Sequence, residues 1–225
     1  MARGLRELRA RIRSNKSIRQ ITKAMEMVSA SRFRRAQERA LHSKPYAAKM
    51  REVILRIASG SRDITHPMLK SRSVKKTGYL LITSDRGLAG GYNANLIRMF
   101  QKELADKHHR HDDFFLLTIG RKGRDFFKKR NYPVIEELTG LSDFPTYLDV
   151  KKIARQAVAY FEDGTYDELY LVYNEFINAM SQRPKIVRLL PLVEGLNDHK
   201  EMKDEKGGEL LYEYEPSPEA VLSEM

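Results

Sequence analysis

The 225-residue sequence contains no cysteine and no tryptophan. The absence of cysteine excludes disulfide scaffolds, thiol catalysis, cysteine zinc sites and dithiol redox switching. No window provides the roughly 18 uncharged apolar residues that a membrane-spanning helix needs. The first twenty residues also lack the apolar core of a secretory signal. The composition therefore predicts a soluble chain that carries no export signal.

Acidic residues are scarce in the first quarter of the chain. Residues 1–60 contain 16 Lys and Arg against 4 Asp and Glu, a net charge of +12, whereas residues 61–225 contain 25 against 26. Essentially the whole formal excess of +11 is therefore N-terminal. Such a basic arm predicts an acidic partner, which charge alone leaves open between nucleic acid, anionic lipid and acidic protein.

Helix breakers are equally rare near the N-terminus, where Pro45 is the only one between residues 5 and 57. Apolar or small residues recur there every three or four positions, which is typical of a coiled-coil helix. The four runs are Leu5, Leu8 and Ile12; Ile18, Ile21, Met25 and Val28; Ser29, Phe33, Ala36 and Ala40; and Ala47, Met50, Ile54 and Ile57. The pattern predicts one helix of roughly 80 Å, with register breaks at Asn15 and within residues 28–32. Its narrow apolar row needs a partner helix.

The arginine-rich beginning of this helix permits other interpretations. A mitochondrial transit peptide would explain the early arginines, but Glu7 is present and the apolar pattern continues beyond any cleavage point. A basic-zipper DNA-binding region would separate its basic block from its leucine block, whereas the two residue types are interleaved here. The third interpretation is a structural coiled coil with a solvated basic face.

Strands and helices are predicted to alternate after residue 78, which indicates a Rossmann-like α/β domain with a parallel or mixed sheet. The predicted strands are residues 79–83, 114–119, 133–135, 168–173 and 185–190. The predicted helices are residues 93–107, 122–130 and 146–161, the last beginning at Thr146 or Leu148.

A glycine-rich loop, residues 84–91, joins the first predicted strand to a helix. Loops of this kind can hold phosphates, but the glycines at 87, 90 and 91 fit neither G-x-G-x-x-G nor the P-loop. The alternatives are a tight turn and a protein-contact loop. The basic turn at residues 121–124 is interpreted as a solvated helix start.

Residues with catalytic or metal-binding chemistry are few. His108, His109 and His111 are predicted to lie in a solvated linker, because no further ligand cluster is spaced to complete a metal site. The acidic pairs at residues 112–113 and 136–137 are predicted to be solvated in loops or at edges. No set of nucleophile, base and orienting residue is found, so the sequence does not predict a self-contained enzyme.

The C-terminal region predicts a helix that begins as the sequence stops. Residues 197–208 are interpreted as a flexible insertion, and Ser217, Pro218 and Glu219 form a strong helix-start signal. We therefore expect that a long C-terminal helix follows in the complete protein. The predicted domains are the N-terminal helix (1–60), the α/β domain (61–215) and the start of the C-terminal helix (216–225).

Four segments together closely resemble one family. They are residues 18–31 (IRQITKAMEMVSAS), 78–80 (GYL), 84–93 (SDRGLAGGYN) and 214–216 (YEP). In these segments the chain resembles the gamma subunit of the F-type ATP synthase, and the similarity extends over essentially the whole chain. The resemblance implies a Rossmann-like three-layer domain, and an antiparallel coiled coil between the N-terminal helix and a C-terminal helix.

The resemblance also implies a function as the central shaft of a rotary motor. Lys23, Met25 and Val28 would lie near the catch region of the beta subunit, although Met25 is equally well explained as a residue of the coiled-coil seam. The loop at residues 85–91 would lie near the acidic lever of beta.

Three residues of that loop and three C-terminal residues complete the expected contact sites. Those at the lever are Asp85, Arg86 and Gly87. Those near the epsilon subunit and the membrane c-ring are Tyr212, Tyr214 and Glu215.

The remaining implications concern the complex. ATP, ADP and Mg²⁺ would bind to the partner alpha and beta subunits, with no cofactor and no catalytic residue on this chain and no nucleic-acid partner. The expected location is peripheral, on the cytoplasmic side of a bacterial cell membrane. Because the sequence has no cysteine, the thiol regulation of chloroplast relatives would not operate.

Overall fold

The computed structural model describes residues 2–60, 66–142 and 144–192. The chain divides into two compact units, residues 1–52 and 53–225. A single helix, α1, extends over Ala2–Gly60 and contains Pro45. The predicted long N-terminal helix is thus confirmed, with no interruption at the proline, which removes one backbone donor. None of the helices within the described ranges has the length and apolarity needed to cross a membrane.

The apolar row of α1 is exposed within the first unit. Ile18, Ile21, Met25 and Val28 each expose between 52% and 57% of their surface. Apolar side chains in a continuous row at this exposure are typical of a helix that packs against another one. The predicted partner, a helix starting at residue 216, lies outside the described residues and stays a prediction.

The second unit contains a five-stranded sheet in the order β3-β2-β1-β4-β5. The strands are β1 (Thr77–Ile82), β2 (Phe114–Ile119), β3 (Val134–Leu138), β4 (Glu168–Phe176) and β5 (Gln182–Leu190). Pairing is parallel from β3 to β4, and β5 is antiparallel to β4. β1 lies at the centre of the sheet, with β2 on one side and β4 on the other. This strand order is that of a doubly wound fold.

Helices pack on both faces of this sheet. The helices are α2 (Tyr92–Lys107), α3 (Arg121–Lys128) and α4 (Tyr147–Glu162). Leu96, Phe100 and Phe127 from α2 and α3 form one core with Tyr79 and Leu81. On the opposite face, α4 contributes to a second core, which contains Ala157, Phe161, Leu117, Tyr166 and Leu169. The predicted α/β fold with three layers is confirmed.

Several predicted element boundaries differ from those observed. β1 begins at Thr77 and ends at Ile82, where residues 79–83 were expected. Glycine is unfavourable in strands. At position 78 it is needed, because a Cβ there would lie only 2.8 Å from the Tyr166 ring. β3 covers Val134–Leu138 because Glu136 and Glu137 belong to an edge strand, where charged side chains are tolerated.

The last two strands are longer than predicted. β4 extends to Phe176 and β5 begins at Gln182, so a short turn joins them into a hairpin. Pro184 lies within β5, which is possible because β5 is an edge strand. Because β4 is parallel to β1, the turn after β4 lies at the same end of the sheet as the residues that follow β1.

Candidate functional site

The loop between β1 and α2, residues 83–91, lies at the carboxyl end of the parallel strands. This edge is where open α/β sheets usually bind their ligands. Thr83 closes the base of the loop, because its backbone N–H donates to the Ile119 carbonyl at 2.8 Å. Its buried hydroxyl oxygen accepts a hydrogen bond from the Gly123 N–H at 2.8 Å. The end of β1 is thereby fixed to the end of β2 and to the first turn of α3.

The carboxylate of Asp85 connects two further turns. Oδ1 accepts a hydrogen bond from the Arg121 N–H at 2.8 Å, and Oδ2 accepts one from the Gly140 N–H at 2.7 Å. Arg121 is the first residue of α3, so the carboxylate lies at a helix N-terminus, where a negative charge is stabilised. Both oxygens of Asp85 therefore hold the ends of β1, β2 and β3 together.

This arrangement bears on the nucleotide alternative for the glycine-rich loop. A phosphate bound in such a fold would use backbone N–H groups at a helix N-terminus. At α3 the Asp85 carboxylate already accepts the hydrogen bond from the first helical N–H. The described geometry favours a rigid loop over an anion cradle at this position.

A second set of hydrogen bonds joins the loop to α2. Asn93 accepts from the Ser84 N–H at 3.0 Å and donates through Nδ2 to the Ser84 hydroxyl at 2.8 Å. The Ser84 hydroxyl donates in turn to the Arg86 carbonyl at 2.7 Å. These bonds fix both ends of the loop, and they leave its middle residues at the surface.

Leu88 forms the tip of the loop. Its side chain is 99% exposed and its φ is +59°, a conformation that is unfavourable for a residue other than glycine. Arg86 and Gly87 are also exposed. A fully exposed leucine on a fixed, strained backbone is typical of a contact surface. The structure thus brings Asp85, Arg86 and Gly87 into one loop, and it gives Asp85 a bracing position inside it.

The predicted site on α1 has a different character. Lys23 Nζ forms an ion pair with Glu26 Oε2 at 3.1 Å, so part of its charge is compensated on the same helix. Met25 and Val28 are about half exposed. These two exposures fit both a coiled-coil seam and a contact with another subunit. The predicted site residues Tyr212, Tyr214 and Glu215 lie outside the described residues, as do residues 197–208 and 216–225.

The prediction that all three histidines are solvated was wrong for His108. His108 Nε2 lies 2.8 Å from the Tyr79 hydroxyl, and its ring contacts the Phe114 ring at a centroid distance of 5.0 Å. Burial lowers the pKa of His108, and burial also raises the pKa of Tyr79, so the phenol stays protonated. Sequence spacing gave no signal for this pair, because the two residues are 29 positions apart.

The remaining charged candidates are surface groups. His109 is exposed, and Asp112 pairs with Arg110 at 3.2 Å, where both side chains are largely exposed. Glu137 pairs with Lys128 and lies near Arg124, so this acid of β3 is ion-paired where simple solvation was expected. Across the described part of the chain, no three His, Asp or Glu residues are grouped so that they could hold a metal ion.

Comparison with known proteins identifies the family. The sequence model of the ATP synthase family matches residues 4–225. The ATP synthase gamma chain of Brevibacillus brevis is 52% identical over 225 residues, which is 100% of this chain and 76% of that protein. The gamma chain of an Exiguobacterium species is 49% identical over 219 residues, covering 97% of this chain and 74% of the relative.

A solved structure agrees with these relatives. The structure of the central stalk and c-ring of the Tetrahymena thermophila mitochondrial ATP synthase contains a chain that is 25% identical, with a TM-score of 0.64. The similarity covers 91% of this chain and 84% of that one. The sequence similarity and the structural similarity thus indicate the same family, and the chain belongs to the ATP synthase gamma chain family.

Proposed function

We propose that this chain is the central-stalk rotor subunit of a proton-translocating F-type ATP synthase. In this function it couples rotation of the membrane c-ring to conformational changes at the catalytic sites of the beta subunits, in ATP synthesis or hydrolysis. The observation that carries the proposal is the 59-residue helix α1, with its exposed apolar row, preceding a rigid α/β domain in a member of this family.

The charge of α1 suits a shaft inside an acidic environment. Residues 1–60 carry a net charge of +12, and the basic side chains are interleaved with apolar ones around the helix. Such a distribution attracts acidic loops at every rotational position, without one deep minimum. An asymmetric shaft then makes different contacts with each beta subunit, and these differential contacts bias the beta subunits towards different conformations.

The proposed contact residues form two groups. Lys23, Met25 and Val28 would face the catch region of beta, and the loop of Asp85, Arg86 and Gly87 would face its acidic lever. The hydrogen bonds of Asp85 and Ser84 support this, because a loop that transmits force needs a fixed base.

The other proposed partners are the alpha subunit, the epsilon subunit and the c-ring. Tyr212, Tyr214 and Glu215 would contact epsilon and the c-ring. In this proposal, ATP, ADP and Mg²⁺ bind to alpha and beta, and this chain has no catalytic residue or cofactor of its own. The complex would place the chain at the cytoplasmic side of a cell membrane as a peripheral subunit.

Charge reversal tests the proposal. We expect the triple variant Arg32→Glu, Arg35→Glu and Arg86→Glu, assembled with its partner subunits in vesicles, to pump fewer protons per ATP hydrolysed. Nucleotide binding to beta should be unchanged, because none of the substituted residues belongs to beta. The matched control is Lys102→Glu, which changes an exposed cation on α2. Unchanged pumping efficiency in the triple variant would contradict the proposed contacts.

A further inference from the structure

The exposed face of α4 forms a groove that the proposed function does not use. The groove has a volume of about 460 Å³ and is lined by Leu148, Lys151, Lys152, Arg155, Gln156 and Ala159. Leu148 is 74% exposed and the preceding Tyr147 is 61% exposed. An apolar pair therefore lies at one end of the groove, and three cations lie along it.

Two cations of this groove lack the ion pairs that some other cations of the domain form. Lys107 on α2 pairs with Glu103, and Lys185 on β5 pairs with Glu175. Within the described residues, Lys152 and Arg155 have neither an ion pair nor a hydrogen bond. Lys151 lies 5.2 Å from the centre of the Tyr147 ring.

The acids of α4 do not compensate this charge. The Asp149 carboxylate accepts hydrogen bonds from the Thr146 N–H and hydroxyl, at 2.6 and 2.9 Å, and thereby caps the helix. Glu162 is the last residue of α4, about two turns beyond Arg155. The groove is therefore a concentrated positive surface on a part of the chain, residues 61–225, whose net charge is only −1.

We infer that this groove docks an acidic polypeptide segment of a neighbouring subunit. Lys152 and Arg155 face the carboxylates of that segment, and Leu148 with Tyr147 covers an apolar side chain of it. Charge complementarity selects the acidic partner. The concave surface favours a polypeptide over a bilayer, because membrane binding requires an apolar face that inserts along the length of a helix. On α4 the large exposed apolar side chains are confined to its first two residues.

Photo-cross-linking in the assembled complex tests this inference. A photoreactive amino acid replaces Leu148, and the matched control carries the same group at Glu162. We expect a cross-link from position 148 to one other subunit, in a segment with several Asp or Glu residues, and at least about tenfold less product from position 162. A cross-link to lipid, a cross-link to a segment without carboxylates, or equal yields at both positions would overturn the inference.

A charge series distinguishes electrostatic docking from simple proximity. Lys152→Glu combined with Arg155→Glu should reduce the cross-link from position 148 about tenfold, whereas Lys152→Arg combined with Arg155→Lys should retain it. Retention of the cross-link by the Glu variant would contradict the inference. Circular dichroism of each full-length variant checks that α4 is still folded.

The inference rests on the proposed function, because it requires assembly with other subunits. Co-purification with an ATPase complex measures that assembly separately. A chain that assembles without the expected cross-link refutes the groove alone, and a chain that does not assemble refutes both.

Discussion

Two glycines at the end of the sheet have opposite structural requirements. Gly120 has a φ of +95°, and a Cβ there would overlap the Thr83 carbonyl. At Gly87 a Cβ would meet only the Lys122 side chain, at 3.7 Å. The steric surroundings therefore make Gly120 structurally necessary and Gly87 replaceable.

Urea unfolding of full-length variants measures this difference. We expect Gly120→Ala to lower the free energy of unfolding by about 3 kcal/mol or more, because backbone strain and steric overlap add together. Gly87→Ala is the matched control and should stay within about 0.5 kcal/mol of the wild type. Equal stabilities of the two variants would contradict the described packing around Thr83.

His108 makes stability depend on pH. Burial lowers its pKa in the folded state, with Lys107 acting in the same direction and Asp113, Glu168 and Glu103 opposing. The unfolded chain therefore binds more protons near the ordinary histidine pKa of about 6.5. The contribution of His108 to stability is fully present above that pH, and it is lost as the pH falls through the folded-state pKa.

NMR titration measures the His108 pKa directly. We expect a midpoint below the ordinary histidine pKa of about 6.5, and a weaker pH dependence of unfolding between about pH 5 and 7 in His108→Gln. A His108 midpoint at or above about 6.5 would contradict the burial of this side chain beside Tyr79.

At the scale of elements, α3 depends on a carboxylate from a distant loop. Asp85 accepts hydrogen bonds from the N–H groups of Arg121 and Gly140. Asp85→Asn should lower the free energy of unfolding by about 1–2 kcal/mol, because it removes the charge at the helix N-terminus and turns one acceptor into a donor. Urea unfolding measures the loss.

The matched control is Asp112→Asn. Among the described residues Asp112 forms one exposed ion pair, with Arg110. Such a pair contributes little to stability in water, so this variant should resemble the wild type. If both substitutions lower the free energy of unfolding equally, the Asp85 carboxylate does not stabilise the start of α3 as its hydrogen bonds indicate.

Some elements were predictable from the sequence because their residues suffice to define them. β2 was predicted over its full length, because residues 114–119 are five apolar residues and one threonine, and Gly120 follows them. The helix α1 was predictable from the spacing of its apolar residues and from having Pro45 as the single breaker between residues 5 and 57. The extension of β4 over residues 174–176 and of β5 over residues 182–184 was not, because Asn174, Glu175 and Pro184 are unfavourable in strands, and the pairing of the two strands fixes their conformation.

The candidate site was predictable only in part, for the same reason. The glycines at 87, 90 and 91 predicted a loop after β1, and the resemblance implied that this loop contacts another subunit, which stays a prediction. The partners of Asp85 are 36 and 55 residues away, so no local pattern contains them. The same holds for the contact between His108 and Tyr79, which depends on how α2 packs against β1.

At the scale of the whole molecule, the charge distribution and the family membership both support a protein partner for α1. The basic excess lies in α1, and the α/β domain is nearly neutral as a whole. A nucleic-acid binder would use such an arm for phosphates, whereas the family places this chain among ATP synthase gamma chains. A rotor function therefore requires that the basic arm lies inside a protein assembly.

Native mass spectrometry of the untagged complex that copurifies with this chain is the decisive test of the rotor function. We expect one copy of the chain in a large assembly with multiple alpha and beta subunits, and ATPase activity in the same fraction. A chain that is found alone, or bound to nucleic acid, would contradict the rotor function.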